Sequence, residues 1–198
     1  MSHTRWRRHA DDEVAIDDLL DAAGRSFAEL GVGRATMVDI ASSAGCSRAT
    51  LYRYFPNQEA LHLGFVHRAT LRIARELADE HHVEAGSSLT DRILAGIAAV
   101  RADPLLSVWF EPENLWVPMK LSQRSDLLRA MSVGIIDRAN TEPRGRDETE
   151  RRGEWLLRSI VSILAMPGED EAAERAMVES FVVPVLITQR EASAGRAS

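Results

Sequence analysis

The sequence predicts an all-α fold, an N-terminal three-helix head followed by a helical bundle. Three observations in the 198-residue chain carry this. Apolar residues recur at helical spacing almost from end to end. Two stubby helical segments flank a single glycine, Gly45. Two tyrosines, five phenylalanines and little β-branched alternation count against sheet.

The first segment, about Asp11 to Leu30, sets Ile16, Leu19, Leu20, Ala23, Phe27 and Leu30 along one stripe. Acidic residues crowd its first turn, where the helix dipole favours them, and Gly31 is placed to end it at C′. Thr36 with Asp39 opens a second, two-turn helix in the manner of a capping box, with Ile40, Ala41 and Ala44 inward. Gly45 stops it. Ser47 is a good N-cap for a third helix over Arg48–Phe55, with Leu51 and Phe55 inward, and Pro56-Asn57 closes that one and starts the next. A long helix follows, about Gln58 to His82, with Leu61, Phe65, Ala69, Ile73 and Leu77 in one row.

After a loop at Gly86–Ser88, a helix is expected from about Thr90 to Ala102. Pro104, Pro112 and Pro118 break the next stretch into short pieces, and Ser125–Ala139 is helical again, followed by a loop over Thr141–Arg146. The last two helices, Asp147–Met166 and Glu169–Arg190, are joined by Pro167-Gly168 and so lie antiparallel. Their apolar residues spread over more than one stripe, which means two covered faces each. One face serves the subunit; a second copy of the chain is the simplest cover for the other, through Leu157, Val161, Leu164, Val178, Phe181, Val182 and Val185. Pro184 predicts a kink, and Ala192–Ser198 reads as a frayed tail.

The net charge is −6, which argues against a generally basic nucleic-acid coat but leaves room for a local basic surface. Met1–Val66 itself holds seven arginines against nine acids. Most of those acids lie at or before Asp21, so Arg5, Arg7, Arg8, Arg34, Arg48 and Arg53 can gather on one side, and a steep salt dependence of nucleic-acid binding is expected. The basic start, His3–His9, reads either as a frayed tail or as an arm for a minor groove. It meets acids instead of an apolar core, so no secretory signal is expected. No apolar run reaches the ~18 residues of a spanning helix, so no membrane partner is expected. A single cysteine, Cys46, excludes an internal disulfide, and a cytoplasmic protein is the simplest reading. Its place in the tight turn reads as packing, with a redox sensor as the alternative.

Two short helices about a glycine turn make a helix-turn-helix, whose second helix fits the major groove of DNA with its N-terminal residues at the base edges. Those residues are Ser47, Arg48, Ala49 and Thr50, of which Arg48 alone can grip guanine with two hydrogen bonds. Thr50, Tyr52 and Tyr54 carry hydroxyls suited to phosphate oxygens, and Arg53 adds charge.

The run from Thr36 through Ile40-Ala41, Ala44-Gly45, Ser47, Thr50-Leu51-Tyr52, Tyr54-Phe55 and Glu59-Ala60-Leu61 resembles the DNA-binding signature of the tetracycline-repressor (TetR) family of bacterial transcription regulators. The match spans about Phe27 to Phe65; beyond it only the layout is similar. The resemblance implies a homodimer, a palindromic operator in double-stranded DNA, and a C-terminal domain that releases DNA when a small effector binds. It implies a DNA-binding domain over residues 1–56 and an effector and dimer domain over 57–198. It also places Ser47, Arg48, Ala49 and Thr50 at bases or nearby phosphates, Thr36 as a cap near the backbone, Tyr54 on a phosphate, and Tyr52 either there or packed. Two positions depart from the family. Gln58 stands where lysine is usual, leaving phosphate contact there to an amide and a helix N-terminus. Ala49 stands where glycine is frequent.

Phe65, Trp109, Phe110, Trp116, Met119, Met131 and Trp155 read either as core or as the lining of an apolar effector pocket. The histidines lack ligand spacing, so no metal and no cofactor is expected. There is no nucleophile elbow, phosphate loop or paired-carboxylate context, so no enzyme is expected. The competing reading is a helical scaffold that binds protein and neither DNA nor ligand.

Overall fold

The computed structural model describes residues 3–79, 87–140 and 145–187, with side chains in the first stretch over 12–78. These residues form helices joined by turns and loops, with no strand among them. No single described helix is long and apolar enough to cross a membrane.

The first helix, α1 (His3–Leu30), begins eight residues before the expected start, because nothing between His3 and Asp11 breaks a helix. The minor-groove reading of this stretch concerns side chains outside the described residues. Gly31, at φ 86°, closes α1 by donating its N–H to the Phe27 carbonyl. In α2 (Met37–Ser43) the capping box is complete: Thr36 Oγ1 accepts from the Asp39 N–H, and the Thr36 N–H donates to Asp39 Oδ2. Gly45, at φ 64°, then makes a Schellman turn, with Cys46 N–H on the Ala41 carbonyl and Gly45 N–H on that of Ser42. Only glycine takes this backbone without a Cβ penalty. In α3 (Arg48–Tyr54) Ser47 Oγ caps the Thr50 N–H, and in α4 (Gln58–Asp79) Asn57 Oδ1 caps that of Ala60.

A Ser88–Asp91 capping box starts α5 (Leu89–Ala102). Pro104 opens the single turn α6 (Pro104–Ser107), capped by Asp103, which leads into a 3-10 turn at Val108–Phe110. Pro118 falls in the first turn of α7 (Trp116–Ser122), where its missing N–H costs nothing. Then come α8 (Asp126–Ala139), α9 (Arg146–Ala165) and α10 (Glu171–Met177). The kink expected at Pro184 takes the form of a π turn at Val178–Val182 leading into α11 (Val183–Leu186). The expected C-terminal tail and the Thr141–Arg144 part of the loop before α9 lie outside the described residues.

The chain divides into two compact units, Met1–His82 with Ala98–Ser125, and Val83–Ile97 with Asp126–Ser198. This packing division differs from a head ending at residue 56. The helices α2 and α3 are too short to bury their own inner faces, so α4 and the 104–121 segment share one core with them. Its centre is aromatic. Phe65 and Trp109 stack with ring centroids 5.5 Å apart, and Phe27 meets both edge-on. Gly64 leaves room for the end of α3: a Cβ there would stand 2.8 Å from Phe55 Cε1. In the second unit α9 packs along α8, with Gly153 against the Val133 backbone, and Leu156, Ile163, Leu164, Val178, Val182 and Leu186 are buried.

Candidate nucleic-acid interface

The inner side of α3 is spent on Leu51 and, just after it, Phe55, both buried. That leaves Ser47, Arg48, Ala49, Tyr52 and Arg53 exposed, with Thr50 half-buried. The Ser47 and Thr50 hydroxyls are hydrogen-bonded to each other at 2.9 Å. Arg34 and Val38 are exposed as well. At its N-terminal end this capped two-turn helix therefore presents Ser47, Arg48 and Ala49, with Arg48 the one long cation of the three.

Thr36, Gln58 and Tyr54 are engaged within the protein. The Thr36 hydroxyl donates to Asp39 Oδ2 at 2.6 Å, so Thr36 serves the cap; this hydroxyl and the Thr36 N–H hold the Asp39 carboxyl below the usual carboxylate range. Gln58 turns its amide inward, Nε2 donating to the Ala35 carbonyl at 2.8 Å, so that amide hydrogen ties α4 to the loop before α2. The Tyr54 hydroxyl donates to Asp12 Oδ1 at 2.9 Å. The helical pattern gives no signal for this last bond, because Asp12 reads there as one of several first-turn acids.

Further side chains fix the loop that carries α2. Asn114, buried, accepts the Gly33 N–H on Oδ1 and donates Nδ2 to the Val108 carbonyl. Glu59 near the start of α4 pairs with Lys120 at 2.8 Å and Arg124 at 2.6 Å, which hold its carboxyl below the usual range. His62 is buried against Phe27 and Trp109, and its Nε2 has no partner. Burial pushes its pKa down to about 4. The unfolded chain protonates this group near 6.5 and the folded one does not, so stability is complete above pH 6.5 and falls as pH drops towards 4. The expected loss over that window is about 3 kcal/mol. Urea denaturation at pH 7 and pH 5 should show this slope in the wild type and its absence in His62→Leu; parallel curves would refute it.

Cys46 is half-buried and packs against this core, as the packing reading expects. The residues read as core or as an effector pocket fall in both units, and each unit is described by itself. Phe65 and Trp109 are stacked in the core, Phe110 packs beside it, and Trp116 and Met119 are exposed on α7. Met131 and Trp155 belong to the second unit. Trp109 of the proline-broken segment packs onto Phe27 of α1 and Phe65 of α4, where it fills space.

The residues expected at a dimer face differ in exposure. Leu164, Val178 and Val182 are buried within their own unit, Leu157 and Val161 are half-buried, and Val185 and Phe181 are exposed, Phe181 at 70%. The outward row is completed by Trp155 and Met177, both exposed, around a groove of about 300 Å³ that Ser159 and Ser162 also line.

Residues 19–63 match the model of the family described as bacterial regulatory proteins, tetR family. Over 201 aligned residues the chain is 38% identical to an uncharacterized HTH-type transcriptional regulator of Mycobacterium tuberculosis (strain CDC 1551 / Oshkosh), covering 100% of this chain and 97% of the relative. The same match is found in strain ATCC 25618 / H37Rv. Among solved structures, the TetR family repressor AlkX from a Dietzia strain, implicated in biodegradation of n-alkanes, superposes with TM-score 0.59 at 20% identity, covering 85% of this chain and 93% of that one. A putative tetR family transcription regulator from a Shewanella strain gives 0.52 at 17% identity, covering 85% and 95%.

Proposed function

Because the chain belongs to the tetR family of bacterial transcriptional regulators, DNA-binding proteins of the helix-turn-helix type, we propose that it is a repressor that holds a palindromic operator as a homodimer and lets go when a small apolar effector binds. The observation that carries the DNA part is the bare N-terminal edge of α3, Ser47-Arg48-Ala49, on a helix capped at its start and buried only through Leu51. In the major groove this edge faces bases, with Arg48 on guanine O6 and N7. Thr50 and Tyr52 reach the flanking phosphates, Tyr54 does so once its hydroxyl is released, and Gln58 brings the backbone N–H groups of the α4 terminus. Thr36 keeps α2 aligned.

Residues 1–56 are the DNA-contacting part of this reading, and 57–198 the effector and dimer part. A two-fold dimer sets two such edges about 34–36 Å apart, one turn of duplex. The exposed row Trp155, Met177, Phe181 and Val185 supports a second copy as its cover. Effector release is inferred from the family and not from a cavity; it requires an effector that binds one head spacing better than the other. The site of action is cytoplasmic, where the chromosome is.

Duplexes selected from a random pool by the wild type supply the test. Arg48→Ala should lose discrimination at one base position of each half-site by about 10- to 100-fold. Equal losses on selected and scrambled duplexes would overturn the base-reading role. Failure of the folded wild type to enrich any duplex would favour a scaffold.

A further inference from the structure

The hydroxyl of Tyr54 carries one hydrogen, and it is already given away. Asp12 Oδ1 accepts it at 2.9 Å, while Arg53 Nη2 donates to the same hydroxyl oxygen at 2.6 Å. The Arg53 guanidinium carbon lies 4.6 Å from the centre of the Tyr54 ring, so the three side chains form one cluster. Asp12 and Arg53 are exposed and Tyr54 half-buried. Phosphate oxygens in a DNA backbone only accept hydrogen bonds. With its hydrogen committed, Tyr54 has nothing to offer them.

The group in the way is itself an anion with two acceptor oxygens, close in chemistry to a phosphodiester. We propose that Asp12 is an internal stand-in for a DNA phosphate: it occupies the Tyr54 hydroxyl in the free protein and must be displaced when the DNA backbone arrives. This rests on reading α2 and α3 as a DNA-binding element.

Two consequences follow from the donor count. Arg53 keeps four of its five guanidinium N–H groups and can turn to the backbone without leaving the ring. Once Tyr54 transfers its hydrogen bond to a phosphate, Asp12 is left as an unpaired carboxylate facing a polyanion. Asp12 therefore weakens binding to duplex of every sequence, and the protein stays only where base contacts through Arg48 add to the backbone ones. Because the cluster is exposed, the effect is modest.

The full-length protein and a 30-bp random-sequence duplex, followed by fluorescence anisotropy across a salt series, test this. The variants are Asp12→Ala, Tyr54→Phe, their combination, and Asp18→Ala, an equal charge change at an exposed site of α1. Asp12→Ala should tighten binding by about fivefold. Tyr54→Phe should cost more in the Asp12→Ala background than in the wild type, by about the same factor. Asp18→Ala should give less than half the gain. A gain that survives intact in the double variant, or that Asp18→Ala matches, reduces Asp12 to bulk charge and overturns the proposal, and so does weaker binding by Asp12→Ala. If every protein, wild type included, is folded by circular dichroism and binds no duplex, the DNA-binding reading itself has failed and the proposal falls with it.

Discussion

Replacing Phe27 by alanine should cost about 3–5 kcal/mol of folding stability, the range for removing a fully buried aromatic ring. Phe27 sits on α1 with no exposed surface and meets three rings edge-on: His62 at 5.2 Å, Phe65 at 5.4 Å and Trp109 at 5.4 Å. The cavity left behind would be walled by rings that cannot fold into it. Phe65 and Trp109 are locked in their own stack, and His62 lies edge-on against Trp109 at 5.3 Å. The loss would be a large part of the 5–15 kcal/mol that holds a typical domain together. Guanidinium denaturation read by far-UV circular dichroism measures it, and Phe27→Leu should recover more than half. A loss under about 1 kcal/mol in the alanine variant would mean that the rings do not enclose this position.

The second large effect belongs to the other unit and leaves its stability alone. Phe181→Glu should turn a dimer into monomers and weaken operator binding by roughly 10²-fold or more, because the two heads then bind independently. Phe181 is exposed, so a charge there costs the isolated subunit less than about 0.5 kcal/mol. Val178, one helical turn earlier, is fully buried; Val178→Glu would instead unfold the unit, which makes it the wrong probe for assembly. Sedimentation velocity on the folded Phe181→Glu protein decides the matter. Intact dimers would exclude the α9–α11 face as the contact.

What the sequence makes legible is what short-range chemistry decides. The caps at Thr36, Ser47 and Asn57 and the left-handed glycines 31 and 45 each act within a few residues, and all stand in the structure as read. The α3 edge follows from them, since Leu51 and Phe55 leave its other side bare. The bonds that join distant residues were not legible. Asn114 reaches Gly33 across 81 positions and Tyr54 reaches Asp12 across 42, and no periodicity links such pairs. Gln58 shows the same limit. Its position at the start of α4 reads as a phosphate contact, yet the Ala35 carbonyl takes its amide hydrogen. The aromatic residues near the prolines left two readings open for another reason. Composition alone cannot separate a ring that lines an empty space from a ring that fills one, and Phe65 and Trp109 fill it.

The Phe55 ring at the end of α3 is seated where α4 has no side chain to refuse it, at Gly64. A peg in a notch transmits rotation as well as position. A roll or slide of the long helix near Gly64 would press on Phe55 and, through it, on the exposed edge of α3. The exposed edge of α3 is thus tied to α4 at this notch as well as, through α2, to α1.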